Sequence, residues 1–365
     1  MTRCRAVPAE SGAARRDKKS REEPQDMRVL VTGGAGFIGS HTLVELLKSG
    51  YEAVVVDNFS NSKPAALRRV KQICGKDFVF YENDVRDREA MKKIFAENRI
   101  DAVIHFAGLK AVGESVRKPL LYYSHNLCAT FNLCEAMIEA GVRIMVFSSS
   151  ATVYGNSDRV PIREDFRIGP TSNPYGETKL MQERILSDMV AAGELRTAVM
   201  LRYFNPIGAH ESGLIGEDPN GIPNNLLPYI SQVSIGKLPY LSVFGNDYDT
   251  HDGTGVRDYI HVVDLARAHV CALRHAVGSE GAQYYNIGTG IGYSVLDIIG
   301  AYEKATGRKV PYRISPRRPG DVAVSYSDPS LAASVLGWKA QFGIERMCRD
   351  ADRWQTMNPD GYPDE

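Results

Sequence analysis

The sequence predicts an α/β chain: a doubly wound parallel sheet followed by a smaller, irregular C-terminal lobe. Three observations carry this. Short β-branched runs alternate with stretches of helical period from Met27 onward, and those runs are apolar throughout rather than at every second position. Past Asn205 the regularity fails, Gly and Pro rise, and strands become isolated. A strand that is apolar on both sides must be covered on both faces, which is the condition of a parallel sheet with helices above and below it.

Taken in order, residues 1–26 mix Arg15, Arg16, Lys18, Lys19 and Arg21 with Glu10, Asp17, Glu22, Glu23 and Asp26 and carry almost no apolar side chains. Such a composition cannot repay the entropy of ordering, so a disordered leader is expected. It lacks the apolar stretch of a secretory signal, and its acids argue against a transit peptide. Strands are predicted at 28–32, 53–57, 78–82, 102–106, 143–149 and 197–202, with helices between them at 38–48, 88–97 and 120–140. The expected division is a leader at 1–26, a sheet domain at 27–205 and a substrate lobe at 206–365.

Composition narrows the function. The 365 residues balance 44 Lys+Arg against 44 Asp+Glu, which removes any global electrostatic reason to bind nucleic acid or an anionic membrane. No apolar run approaches the ~20 residues of a membrane span. The six cysteines are scattered without a CxxC pair, and the eight histidines show no metal-binding spacing. A reducing compartment and no metal are expected.

Residues 29–39, VLVTGGAGFIG, read as a strand entering a glycine turn and then a helix. Gly34, Gly36 and Gly39 satisfy GxGxxG, and Gly33, Gly36 and Gly39 satisfy GxxGxxG. Such glycines let the backbone approach a pyrophosphate, which then sits at the positive end of the helix. Asp57 ends the second strand about 20 residues later, where a carboxylate accepts from the adenosine ribose and repels a 2′-phosphate. Asn58, Phe59 and Ser60 follow it without an Arg, which favours NAD over NADP.

Tyr175 and Lys179 stand at i and i+4, on one helix face. An ammonium near a phenol favours the phenolate, so the expectation is that Lys179 lowers the Tyr175 pKa and makes it a general base. Ser148, Ser149 and Ser150 end the fifth strand, at the carboxyl edge where doubly wound sheets bind ligands. A hydroxyl there can hold a substrate hydroxyl against the tyrosine.

Glycine turn, serine and YxxxK together resemble the extended short-chain dehydrogenase/reductase superfamily. Within it, residues 27 to about 362 resemble the UDP-glucose 4-epimerases through HFAGLKAVGES (105–115), FSSSATVYG (147–155), LRYFNPIGAH (201–210), GIPNNLLPYI (221–230) and GVRDYIHVVDLA (255–266). The resemblance implies a Rossmann domain binding NAD and a lobe binding a UDP-hexose. It implies interconversion of UDP-galactose and UDP-glucose through a transient 4-keto sugar, in a cytosolic homodimer formed by two helices per subunit.

Carried over position by position, the resemblance makes Tyr175 the base on the sugar 4-hydroxyl, assisted by Ser150 and Lys179. It implies cofactor contacts at Gly33, Gly34, Gly36, Phe37, Ile38, Gly39, Asp57, Asn58, Asn61, Phe106, Ala107, Gly108, Lys110, Ser148, Tyr203 and Phe204. Asp84 and Val85 fall beside the adenine. For the nucleotide sugar it implies Lys110, Asn205, Asn224, Asn225, Leu226, Phe244, Arg257, Arg318, Asp321 and Ser325, with Arg257 and Arg318 forking onto the diphosphate.

Related dehydratases carry an acidic pair, and related decarboxylases a Glu, where this chain has Ala151 and Thr152. Those rival reactions are disfavoured on that ground, and a non-catalytic NAD-binding regulator by the presence of Ser150, Tyr175 and Lys179. Ser325 stands where restrictive family members have Tyr, which leaves room for the acetamido group of UDP-GalNAc and UDP-GlcNAc. His125 stands where the family more often has Asn or a small apolar residue, and its role is open between the nicotinamide end of the cofactor and the core.

Overall fold

In the computed structural model, residues 27–157, 159–221, 223, 225–318 and 321–363 are described. The expected leader at 1–26 and the candidate contact Asn224 lie outside them. The chain runs β1 (Arg28–Thr32), α1 (Phe37–Lys48), β2 (Glu52–Asp57), α2 (Pro64–Cys74), β3 (Val79–Glu82), α3 (Arg88–Glu97), β4 (Ala102–His105), α4 (Val112–Arg117), α5 (Pro119–Glu139), β5 (Ile144–Ser150), α6 (Pro174–Ala191) and β6 (Thr197–Tyr203). It continues through β7 (Asn205–Ile207), α7 (Leu226–Ser234), β8 (Leu241–Phe244), β9 (Val256–His261), α8 (Val262–Val277), β10 (Gly281–Ile287), β11 (Gly292–Ser294), α9 (Val295–Thr306), β12 (Tyr312–Ser315), β13 (Val324–Ser325), α10 (Ser330–Leu336) and α11 (Ile344–Met357). Among the described residues, no helix is long and apolar enough to cross a membrane.

Seven strands pair in parallel in the order β10-β6-β5-β4-β1-β2-β3. Side-chain alternation along each strand divides the apolar residues into two cores. Val29, Val31, Val146, Val199 and Leu201 join Leu43, Leu265 and Leu273 on one face. Leu30, Met145, Phe147 and Met200 join Ile94, Leu133 and Leu186 on the other. The sheet is therefore doubly wound, and its strand order reverses between β1 and β4, where a crevice opens at the carboxyl ends.

Local chemistry starts and stops the helices. Asp87 caps α3 by accepting the Ala90 N–H at 3.0 Å, and Asn173 caps α6 by accepting that of Gly176 at 2.8 Å, with Pro174 in the first turn. Ser294 and Asp297 form a reciprocal capping box on α9.

The expected division at residue 205 does not separate the sheet from the lobe. After β9 the chain crosses back as α8, packs on α1 and supplies β10 as the seventh strand. Apart from α10, which packs on α8 and β10, the remaining C-terminal elements gather around β9, which pairs with β7, β11 and β13, and around a core of Ile230, Tyr259, Ile298, Tyr302 and Met347. The chain returns to the sheet at the β9–α8 junction and leaves it again after β10, and composition marks neither crossing.

Candidate active site

A cleft of about 950 Å³ follows the carboxyl edge of the sheet and is closed on its far side by the C-terminal lobe. It begins at the glycine turn. Gly33 has φ +69°, and a Cβ there would stand 2.8 Å from the Ala107 nitrogen. A Cβ on Gly39 would meet the Gly33 carbonyl oxygen at 2.3 Å, so only glycine lets α1 start this close to the loop. No side chain caps α1, which leaves its first N–H groups free for an anion.

Asp57 is buried at the end of β2. It accepts the Ala35 N–H at 2.9 Å, the Phe59 N–H at 2.9 Å and the Ser62 hydroxyl at 2.8 Å, tying the glycine turn to the next loop. A cradle that a Cβ would fill and a carboxylate at the adjoining strand end are what a dinucleotide needs, so these residues fit one. Gly33, Gly36, Phe37, Ile38, Gly39, Asp57, Asn58, Asn61, Asp84, Val85, Phe106, Ala107, Gly108, Lys110, Ser148, Tyr203 and Phe204 all line this cleft. Gly34 does not: a Cβ there would press on Val55, so its role is packing against the sheet.

Midway along the cleft, β5 and α6 bring Ser148, Ser150, Tyr175 and Lys179 to the floor. The three serines each serve a different side chain. Ser150 accepts the Thr152 N–H at 3.2 Å and the Thr152 hydroxyl at 3.0 Å, leaving its own proton to donate to the Tyr175 oxygen. The Ser148 carbonyl accepts the Lys179 ammonium at 2.7 Å, and its hydroxyl pairs with that of Tyr203. Ser149, on the opposite face of the strand, donates to Glu183 at 2.5 Å.

Beneath the floor, Asn126 donates to Thr178 at 2.9 Å, and the Thr178 hydroxyl donates to the Tyr175 carbonyl at 2.8 Å, joining α5 to α6.

The expected acidification of Tyr175 is not built in through contact with Lys179. Burial pushes the phenol up to about 12, opposed by the Ser150 hydrogen bond. Burial also pulls Lys179 down to about 7, opposed by Glu183. Helical spacing does place both on one face, but the ammonium turns to the strand carbonyl.

On the lobe side the wall holds Asn205, Asn225, Arg257, Asp321 and Ser325. Leu226, Phe244 and Arg318 do not line it. Leu226 packs against the lobe core, and the Arg318 guanidinium lies 3.9 Å over the Phe244 ring, a cation–π contact. Arg257 lines the wall, with Asp321 3.8 Å from its Nη2.

The 217–220 segment went unread because it lies in the stretch that shows only Gly and Pro enrichment. Glu217 accepts from Lys110 at 3.2 Å and from Asn225 at 2.7 Å, Asp218 pairs with Lys63 at 3.0 Å, and Asn220 donates to the Phe59 carbonyl at 3.0 Å. This strap of the lobe crosses the cleft to the dinucleotide loops. His125 lies neither at the catalytic floor nor in the core. Its Nε2 faces the Arg86 Nη1 at 2.8 Å, and Arg86 in turn forks onto Asp84.

His251, Asp252 and Asp297 lie close enough together to hold an ion, but Asp252 already accepts from Thr254 and Ser294. That group sits away from the cleft lining.

A family model described as the NAD dependent epimerase/dehydratase family matches residues 29–288. The chain is 63% identical over 336 residues to the UDP-glucose 4-epimerase of Bacillus subtilis, covering 92% of this chain and 99% of that one. It is 56% identical over 341 residues to the Bos taurus UDP-glucose 4-epimerase, covering 92% and 98%. The crystal structure of the Bifidobacterium longum UDP-glucose 4-epimerase in complex with NAD+ and UDP superposes with a TM-score of 0.90 at 57% identity, covering 92% of this chain and all of that one. By sequence, fold and the glycine turn that opens its cleft, this chain belongs to the NAD dependent epimerase/dehydratase family.

Proposed function

We propose that this protein is a UDP-glucose 4-epimerase, interconverting UDP-galactose and UDP-glucose with NAD as its resident cofactor. The observation that carries the proposal is the convergence of Ser150, Tyr175 and Lys179 on the floor of a cleft that runs from the glycine turn to a nucleotide-binding wall. NAD, when held by the glycine turn and Asp57, supplies reversible oxidation at the sugar C4. The chain's own residues do the rest.

Tyr175 takes the proton of the 4-hydroxyl and later returns it. Ser150, its oxygen already saturated by Thr152, donates to the phenolate and steadies that charge. Lys179 supplies a positive charge close by. Ala151 and Thr152 occupy the place where the rival dehydratases carry an acidic pair, so that position offers no carboxyl group to carry the chemistry on to C5 and C6. Inversion requires the hexose to turn while UDP stays put. Arg257 on the diphosphate and Asp321 on the ribose hydroxyls anchor the nucleotide away from the reacting carbon.

Ser325, beside Arg257 on the wall, is small enough to admit an acetamido group, which extends the substrates to UDP-GalNAc and UDP-GlcNAc. The enzyme works in the cytosol as a homodimer. Its free cysteines suit a reducing compartment, and the two helices expected at the dimer seam are α5, which exposes Leu120, Phe131 and Ile138, and α6, which bears Tyr175.

The test is to incubate purified protein with UDP-galactose and, separately, UDP-GalNAc, and to identify products without added NAD. The expected products are the 4-epimers at unchanged mass. No conversion of UDP-galactose, even with NAD supplied, would overturn the proposal, and a product lighter by water or carbon dioxide would replace it with a dehydratase or decarboxylase.

A further inference from the structure

Tyr175, Lys179 and Glu183 succeed one another on a single face of α6, one helical turn apart. Strand β5 answers all three, through Ser150, the Ser148 carbonyl and Ser149. Glu183 lies outside the cleft and is buried, yet it is an acid. Arg202, opposite Ser149 in the β5–β6 register, forks onto it at 2.9 and 2.7 Å. The same guanidinium donates to Tyr154 at 3.1 Å and lies 4.5 Å from the Tyr284 ring centre. A buried ion pair costs about as much in desolvation as it gains, so apolar side chains would serve packing as well.

The charged and titratable groups that face Lys179 are few. From its own helix come Glu183 and the Tyr175 phenol. From β4 comes His105, which burial holds neutral with a pKa of about 3. From β5 come the Phe147 ring, 4.7 Å below the ammonium, and the Ser148 carbonyl. From β6 come Tyr203, acting through Ser148, and Arg202, acting through Glu183. The only negative charge in this set is the Glu183 carboxylate.

We infer that Glu183, clamped by Arg202 and Ser149, is a positioning residue that keeps Lys179 protonated, and so keeps Tyr175 competent to release its proton. This rests on the epimerase reading of the same floor. The Coulombic pull of Glu183 raises the Lys179 pKa against burial, which is the direction the role requires. As pH climbs through the Lys179 pKa the ammonium is lost, and the fall in activity at alkaline pH belongs to that loss.

The test uses Glu183→Gln, which keeps the shape, and the double variant Glu183→Met with Arg202→Met, which removes both charges and leaves neither buried unpaired. In each, the alkaline limb of kcat/KM for UDP-galactose is expected to move down by about 1 pH unit, equal to a tenfold loss of rate on that limb. Independently of activity, the titration of the Lys179 ammonium, read by nitrogen-15 NMR as the resonance missing from Lys179→Met in each background, is expected to move down. Glu183→Asp restores part of both shifts. A folded variant whose limb and Lys179 midpoint coincide with wild type overturns the inference, as does a rate lowered equally at every pH. Wild-type protein that fails to epimerise overturns the functional reading instead, and the Lys179 titration then judges Glu183 by itself.

Discussion

At the floor of the cleft the reactive side chains are gripped by regular structure, Ser150 by Thr152 and Lys179 by the Ser148 carbonyl, and behind them Glu183 is held by Arg202 and Ser149, all three under 10% exposed. At the nucleotide wall, Lys110, Arg257 and Asp321 are 39%, 20% and 39% exposed and reach in from loops or from a lobe strand. The difference follows from the two tasks. Proton transfer at a single carbon needs its partners placed to a fraction of an ångström, which only packed elements supply. A diphosphate can be gripped by long cationic arms whose charge acts over several ångströms, and that wall has only to hold UDP while the sugar turns.

The comparison is broken first at the floor. Tyr175→Phe is expected to lower kcat by roughly 10²–10⁴-fold while UDP binding, read by calorimetry, stays within about twofold. If UDP binding falls in step with kcat, the floor and the wall are one unit and the contrast fails.

Acid tests the buried scaffold. His41, His105, His210 and His269 are buried, and desolvation holds their pKa values near about 3, 3, 4 and 4. Because these values lie below the unfolded value of about 6.5, the unfolded chain binds more protons below pH 6.5. Their contribution is complete above pH 6.5 and is lost as pH falls from there toward the folded values. The loss is on the order of 1.4 kcal/mol per pH unit for each histidine. Urea midpoints should therefore drop clearly between pH 7 and pH 5.5, and a midpoint that holds would show these histidines are not the acid-sensitive groups.

The smallest effect belongs to the wall. Arg257→Lys replaces a planar fork with a point charge, and is expected to raise KM for UDP-galactose about tenfold with kcat and the melting midpoint little changed. A fall in kcat of the same size would mean that Arg257 also acts on the transition state.

Much of this was legible because it is local. The 28–32 strand, the 88–97 helix, the VTGGAGFIG turn and the Tyr175–Lys179 spacing are encoded within a few consecutive residues, where a 3.6-residue or two-residue period decides which side chains share a face. The nucleotide wall was less legible. Resemblance placed Arg318 on the diphosphate, whereas its guanidinium rests on Phe244, and it offered no role for Glu217. His125 was read toward the nicotinamide or the core because nothing nearby in sequence announces its partner, Arg86, which arrives from the β3–α3 connection.

By itself, the sequence determined the doubly wound order of alternating elements, the glycine turn and the placing of Tyr175 and Lys179 on one helix face, since each depends on spacing along one short segment. Tertiary structure alone decided that β10 and α8 return from the far lobe to finish the sheet, that the 217–220 strap crosses to the dinucleotide loops, and that Lys179 turns to a strand carbonyl with Glu183 behind it. Those arrangements join residues distant in the chain, and their stability comes from burial and paired charge, quantities that exist only once the layers have packed.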